Sequence, residues 1–213
     1  MSEQVYEHHL TIKQDKLCPF IFKSLNKVRD SVCNWHTNIE LLLVTDGEGH
    51  MQYNSDDIYL QKHDIIVINS GDLHRVYSNS FISFDYIIID ESFCRENGIN
   101  TKDRLFERIF RCEETERVCR YAHERFKDYK SDKSPIKTAL LRLAVLQLIT
   151  ELYSDHSSSA FSGGESSRSP QDYVKKALEY LAIHFTEPLT LEGVAGVCGI
   201  TKYHLAREFR IFI

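Results

Sequence analysis

Six cysteines (Cys18, Cys33, Cys94, Cys112, Cys119 and Cys198) form no C-x-x-C pair and no Cys/His cluster with zinc spacing, which removes the usual structural zinc sites. Cys112 and Cys119 stand seven apart, a spacing that lets two residues share a helix face. No apolar run is long enough to cross a bilayer: Ile65-Ile66-Val67-Ile68 and Ile87-Ile88-Ile89 fall far short of about 20 residues. Near Met1, polar and charged residues interrupt every apolar stretch, so no export signal is read there. Reduced thiols in a cytoplasmic protein are the expectation. An excess of basic charge is lacking too. The 213 residues carry 26 Lys+Arg against 31 Asp+Glu, a formal charge of −5 that argues against nucleic acid unless it is unevenly spread. What is present, 42% hydrophobic and 27% charged, suits one large globular domain or two small ones.

Over the first ninety residues the pattern is β. Runs rich in Ile, Val, Tyr and Phe cover Ile39 to Val44, Met51 to Tyr53, Ile58 to Leu60, Ile65 to Ile68 and Phe81 to Ile89. Turn residues separate them, as in Asp46-Gly47-Glu48-Gly49 and Ser70-Gly71-Asp72. Short strands so spaced predict a small barrel or jelly roll. From Thr101 the spacing of Leu105, Ile109, Cys112, Cys119, Ala122 and Phe126 predicts a helix. A second helix is predicted to open after Ser134 with Pro135 at its first position. Its apolar residues exceed what one face needs, which leaves packing on the barrel or an additional dimer seam open.

Residues 155–170 are rich in serine, contain Gly163-Gly164 and have no periodicity, so they predict a flexible linker. Three short helices are expected beyond it. Val174, Ala177, Leu178, Leu181 and Phe185 line the first; Thr190 caps a second through Leu191, Val194, Ala195 and Cys198; Gly199 marks a turn. Thr201 then caps a third, with Leu205, Phe209 and Phe212 inward and Tyr203, Ala206, Arg207 and Arg210 outward. Two helices about a glycine turn form a helix-turn-helix signature. Arginine on an outward face can contact guanine, and Ala206 is small enough to meet a thymine methyl. Lys202, His204 and Arg210 suit phosphates. The same face could equally be the solvated side of a small helical bundle.

The ordered identities Ala177-Leu178-x-x-Leu181, Pro188-Leu189-Thr190-Leu191, Val194-Ala195, Gly199-Ile200-Thr201-Lys202-Tyr203-His204-Leu205 and Arg207-x-Phe209-Arg210 resemble the first half of the AraC/XylS DNA-binding domain. The resemblance implies base-reading roles for Tyr203, Ala206 and Arg207 and backbone contacts for Thr201, His204 and Arg210. Two departures stand out. Gly193 and Gly196 lie inside the middle helix, each costing about 1 kcal/mol relative to alanine. The family has two such units, and the sequence reaches Ile213 within the first recognition helix, so weak or absent DNA binding is the expectation for this chain.

The β region is similar to cupins. Asn34-x-His36-x3-Glu40-x6-Gly47 keeps the spacing of the first cupin motif with Asn for the first His; His63-x5-Asn69-x-Gly71-x2-His74 maps onto the second. Residues 34, 36 and 40 share one face of a strand, which in a barrel is the lumen. Metal cupins use three His and one Glu; the resemblance leaves His36, Glu40 and His74, enough for a non-haem metal site or for hydrogen bonds to a small ligand. Tyr53 and Tyr86 join Asn34, His36, Glu40 and His74 as effector-binding candidates. Trp35 falls on the opposite face, and Arg75 either meets an anionic ligand or ends a strand in solvent.

The expected fold class is α+β: a cupin-like β-barrel over 1–100, two long helices over 101–154 for coupling or dimerisation, the 155–170 linker, and an all-α helix-turn-helix unit over 171–213. The expected function is an AraC-type regulator, a homodimer that senses a small molecule and contacts double-stranded DNA, with no catalytic residue, metal, cofactor or membrane contact assigned. A metal-dependent cupin isomerase or dioxygenase, or a sensing module that no longer binds DNA, are the alternatives. The charge does not exclude the first reading: residues 171–213 balance at five basic against five acidic, and over 201–213 Lys202, Arg207 and Arg210 face only Glu208.

Overall fold

A computed structural model describes residues 17–159 and 170–212. Most of the sheet is built by two long strands, β2 (Ile39–Tyr53) and β5 (His74–Ile89), which run antiparallel along each other. β1 (Phe20–Asp30) pairs with β5, β3 (Asp56–Gln61) with the far half of β2, and β4 (Ile65–Ile68) with its near half. The order is β1-β5-β2-β4-β7, where β7 is Ile109–Phe110. β1 has no strong sequence signal because its second half, Asn26 to Asp30, is mostly polar; backbone pairing carries it.

Along β2 the odd positions Ile39, Leu41 and Leu43 face one side and the even positions Leu42 and Val44 the other. Register shifts between Val44 and Asp46 and between Gly47 and His50 then change the parity. Met51 and Tyr53 therefore rejoin Leu42 and Val44 in one buried cluster with Ile66, Ile68, Phe84, Tyr86 and Ile88. That cluster fills the cupin-like interior. At the bend, Gly47 has φ +75°, and a Cβ there would lie 2.3 Å from the Phe81 carbonyl oxygen, so only glycine fits. His63, at a position where the motif carries glycine, also holds a positive φ of 73°.

The opposite sheet face is covered by helices. α1 (Glu91–Glu96) follows β5, capped by the Asp90 side chain. The 101–112 stretch is not helical as its spacing predicts: a 3-10 turn at Thr101–Asp103 leads to β6 (Arg104–Phe106) and β7. Leu105 and Ile109 recur at helical spacing but are held in strands by β8 (Ser157–Ser159) and β4, so tertiary pairing overrides a short periodic run. Leu105 is exposed. α2 (Glu113–Ser131) begins after Cys112, so Cys112 caps the helix while Cys119 is buried within it. α3 (Pro135–Asp155) opens after Ser134 with proline at its start. Leu141, Ala144, Val145, Leu148, Ile149 and Leu152 pack with Val118, Cys119 and Ala122 of α2 on the sheet. Ile136 and Leu143, seven residues apart, remain exposed.

The first residues of the expected linker are structured instead, because β8 needs only backbone groups to pair with β6; residues 160–169 lie outside the described residues. α4 (Pro170–His184), α5 (Leu191–Cys198) and α6 (Lys202–Phe212) follow. Thr190 accepts from the Gly193 N–H at 3.1 Å, and Gly199 ends α5 at φ +75°. Ala177, Val194, Ala195, Cys198 and Leu205 form their core, with Phe209 partly buried against it; the side chain of Phe212 and all of Ile213 lie outside the described residues.

This helical unit docks on the sheet domain. Trp35 and Leu73 meet Val174 and Leu178 of α4 in a separate buried cluster, flanked by Cys33 and Phe209. The Lys175 ammonium lies 5.6 Å from the centre of the Trp35 ring, and Gln52 donates to the Ile211 carbonyl at 3.2 Å.

Candidate functional site

A cavity of about 220 Å³ opens between β1, β2, β5 and the 31–34 segment. Leu25, Val32, Leu42, Val76, Phe84, Tyr86 and Ile88 make its apolar walls, and Ser31, Cys33, Asn34, Glu40 and His74 its polar part. Glu40 projects from β2 into the interior, as its even position requires, and is buried. His36 Nε2 lies 2.7 Å from Glu40 Oε2, and His74 Nε2 lies 3.5 Å from the same oxygen.

Backbone geometry orients both rings. His36 Nδ1 sits 2.9 Å from the Asn38 carbonyl oxygen and His74 Nδ1 3.0 Å from that of Asp72. A carbonyl can only accept, so each Nδ1 carries a proton and each Nε2 is turned to Glu40. Burial pushes the His74 ring below its ordinary pKa; Glu40 opposes this, and His36 reinforces it. Burial likewise raises the Cys33 thiol to about 11, so it is not a nucleophile at neutral pH. The three groups His36, Glu40 and His74 present ligand atoms within 4.8 Å of one another, a fit for a divalent ion. Asn34 Oδ1 accepts the Trp35 N–H at 2.8 Å.

Residues 30–149, which hold the whole polar part of this cavity and β2 to β5, match the family model of the AraC-like ligand binding domain. The chain belongs to that family. Among solved structures, the AraC-like transcriptional activator CuxR is 7% identical with a TM-score of 0.47, covering 91% of this chain and 71% of that one. A cupin-2 domain protein from Shewanella frigidimarina is 20% identical with a TM-score of 0.32, covering 34% of this chain and 72% of that one. A predicted oxalate decarboxylase from Thermotoga maritima is 23% identical, TM-score 0.29, over 33% and 64%. No curated protein matches the chain.

In this AraC-like domain the structure gathers Asn34, Glu40 and His74, which keep motif spacing, around the cavity, and Tyr86 joins them. His36 stands behind Glu40 and reaches the cavity through it. Tyr53 does not line it. Its hydroxyl donates to Asp72 at 2.7 Å and accepts from the Asn69 N–H at 2.8 Å, so it braces the 69–74 loop. Arg75 also points elsewhere, paired with Asp30 at 2.8 Å. Phe84 and the aliphatic walls carry no motif and were marked only by strand alternation.

On α6, Tyr203, Ala206, Arg207 and Arg210 are all exposed. Thr201 caps the helix, accepting from the His204 N–H at 3.2 Å. Glu208 is buried and pairs with Arg207 at 2.7 Å and His204 at 3.2 Å, while Lys202 pairs with Glu192 of α5. Much of the positive charge on this helix is therefore engaged within the unit. Among the described residues no helix is long and apolar enough to cross a membrane.

Proposed function

We propose that the chain is a ligand-responsive transcription regulator of the AraC type. The cavity between β1, β2 and β5 receives a small-molecule effector, α2 and α3 carry a homodimer seam, and α4 to α6 contact the DNA major groove through α6. One observation supports this above the others. A cavity inside an AraC-like ligand binding domain adjoins, through Trp35 and Leu73, a helical unit whose terminal helix presents Tyr203, Ala206, Arg207 and Arg210 to solvent. For Arg207 to read a base edge, its pair with Glu208 has to open.

Titrating duplex DNA at several salt concentrations tests the reading, because phosphate contacts make affinity fall as salt rises. Arg207→Ala is expected to relax base preference by about 1–3 kcal/mol. Binding that is absent at low salt, with or without effector, leaves a sensing and dimerisation module in place of a regulator that reads DNA.

The His36, Glu40, His74 arrangement favours a second reading, a metal-dependent cupin enzyme. Elemental analysis of the purified chain, with His74→Ala alongside, separates the two: stoichiometric iron, zinc or manganese lost in the variant supports the enzyme.

A further inference from the structure

Hydrogen-bond accounting at the polar part of the cavity narrows what can enter it. Both Nδ1 protons are spent on the Asn38 and Asp72 carbonyls. His36 Nε2 lies within hydrogen-bond distance of Glu40 Oε2, at 2.7 Å. His74 Nε2 faces the same carboxylate at 3.5 Å. A group seated there meets the Glu40 carboxylate, which accepts. Among the described residues, the ion-pair partners of Glu40 are these two imidazoles, with no lysine or arginine. Lys23, whose Nζ lies 5.9 Å from the Tyr86 ring centre, is exposed.

Resting on the effector-pocket reading above, we propose that the ligand is a small primary amine with an apolar body, its ammonium seated between Glu40 and His74. An ammonium brings three N–H donors and the positive charge that the buried carboxylate favours. A hydroxyl brings one donor and no charge, and a carboxylate would confront Glu40. The remainder of the cavity matches an aryl or short alkyl group, because Leu25, Val32, Leu42, Val76, Phe84 and Ile88 surround it. A bare metal ion would leave those walls without a partner. At about 220 Å³ the cavity lies below the roughly 300–1,000 Å³ of drug-sized sites, which limits the amine to a small one.

The test compares three probes of one shape, 2-phenylethylamine, 2-phenylethanol and 3-phenylpropionate, with zinc chloride alone as a fourth, by calorimetry and thermal shift on the intact chain. The amine is expected to bind at least tenfold more tightly than the alcohol, the acid to give no shift, and Glu40→Gln to lose tenfold or more. If Glu40→Gln does not fold, the ranking of the three probes on the unaltered chain decides by itself. Tighter binding of the acid or alcohol overturns the amine and leaves the effector pocket standing. Zinc binding without amine binding overturns it in favour of the metal site. Silence of all three organic probes also overturns it, and silence of a broad metabolite set besides removes the effector pocket as well.

Discussion

The Tyr53 hydroxyl is bonded on both sides, to Asp72 and to the Asn69 N–H and side-chain amide. Tyr53→Phe leaves a buried backbone N–H without its acceptor, so a loss of about 1–3 kcal/mol is expected in urea unfolding. Its role could not be read from the chain, because the two register shifts in β2 alter which side odd residues face and only coordinates show them. Asn34, Glu40 and His74 were legible, since Glu40 precedes the shifts and all three keep motif spacing. A second buried histidine contributes to acid stability. His123 is buried against Phe22, their rings 5.0 Å apart, and burial lowers its pKa, Asp85 opposing and Lys127 and Arg120 reinforcing. The unfolded chain then binds this proton more readily than the folded one. Its stabilising contribution is present above the unfolded value of about 6.5 and lost as pH falls below it. A midpoint of denaturation tracked from pH 7.5 to 5 should decline, and less so in His123→Gln.

Among the elements, α3 was the most legible, its proline start and surplus of apolar residues both present as read. That surplus now divides: one side packs on the sheet and α2, and Ile136 and Leu143 are left in solvent. Replacing both with lysine should change monomer stability by no more than about 0.5 kcal/mol, as expected for exposed sites. If α3 is the homodimer seam, sedimentation will show the double variant as a monomer; an unchanged mass moves the seam elsewhere. α5 shows a cap whose logic is wholly local. Gly199→Ala forces a Cβ into the left-handed region at φ +75°, with an expected cost of about 1–2 kcal/mol by thermal melting. β6 and β8 were illegible for the opposite reason. Their pairing joins residues more than fifty positions apart and uses backbone groups that Ser157 to Ser159 share with any sequence.

Across the whole molecule, the AraC-like ligand binding domain was readable from motif spacing, whereas the docking of α4 to α6 on it was not. Trp35 was placed correctly on the face away from the cavity, but nothing in the chain names its partners Val174 and Leu178. The single tryptophan of the 213 residues thus sits at this junction, buried. Val174→Asp should open the junction and shift tryptophan emission to the red; unchanged emission would show that the contact does not persist in solution. The 69–74 loop gives the junction its wider meaning. His74 faces the cavity at one end of it, and Leu73, its neighbour, presses on α4. Reciprocity follows for any ligand that shifts this loop. By whatever factor it loosens or tightens the grip on α4, an engaged α4 must alter the ligand's own affinity by the same factor. Any partner that holds α4 to α6 away from or against the sheet would then be felt in the cavity as a change in how much of it is occupied at a given ligand concentration.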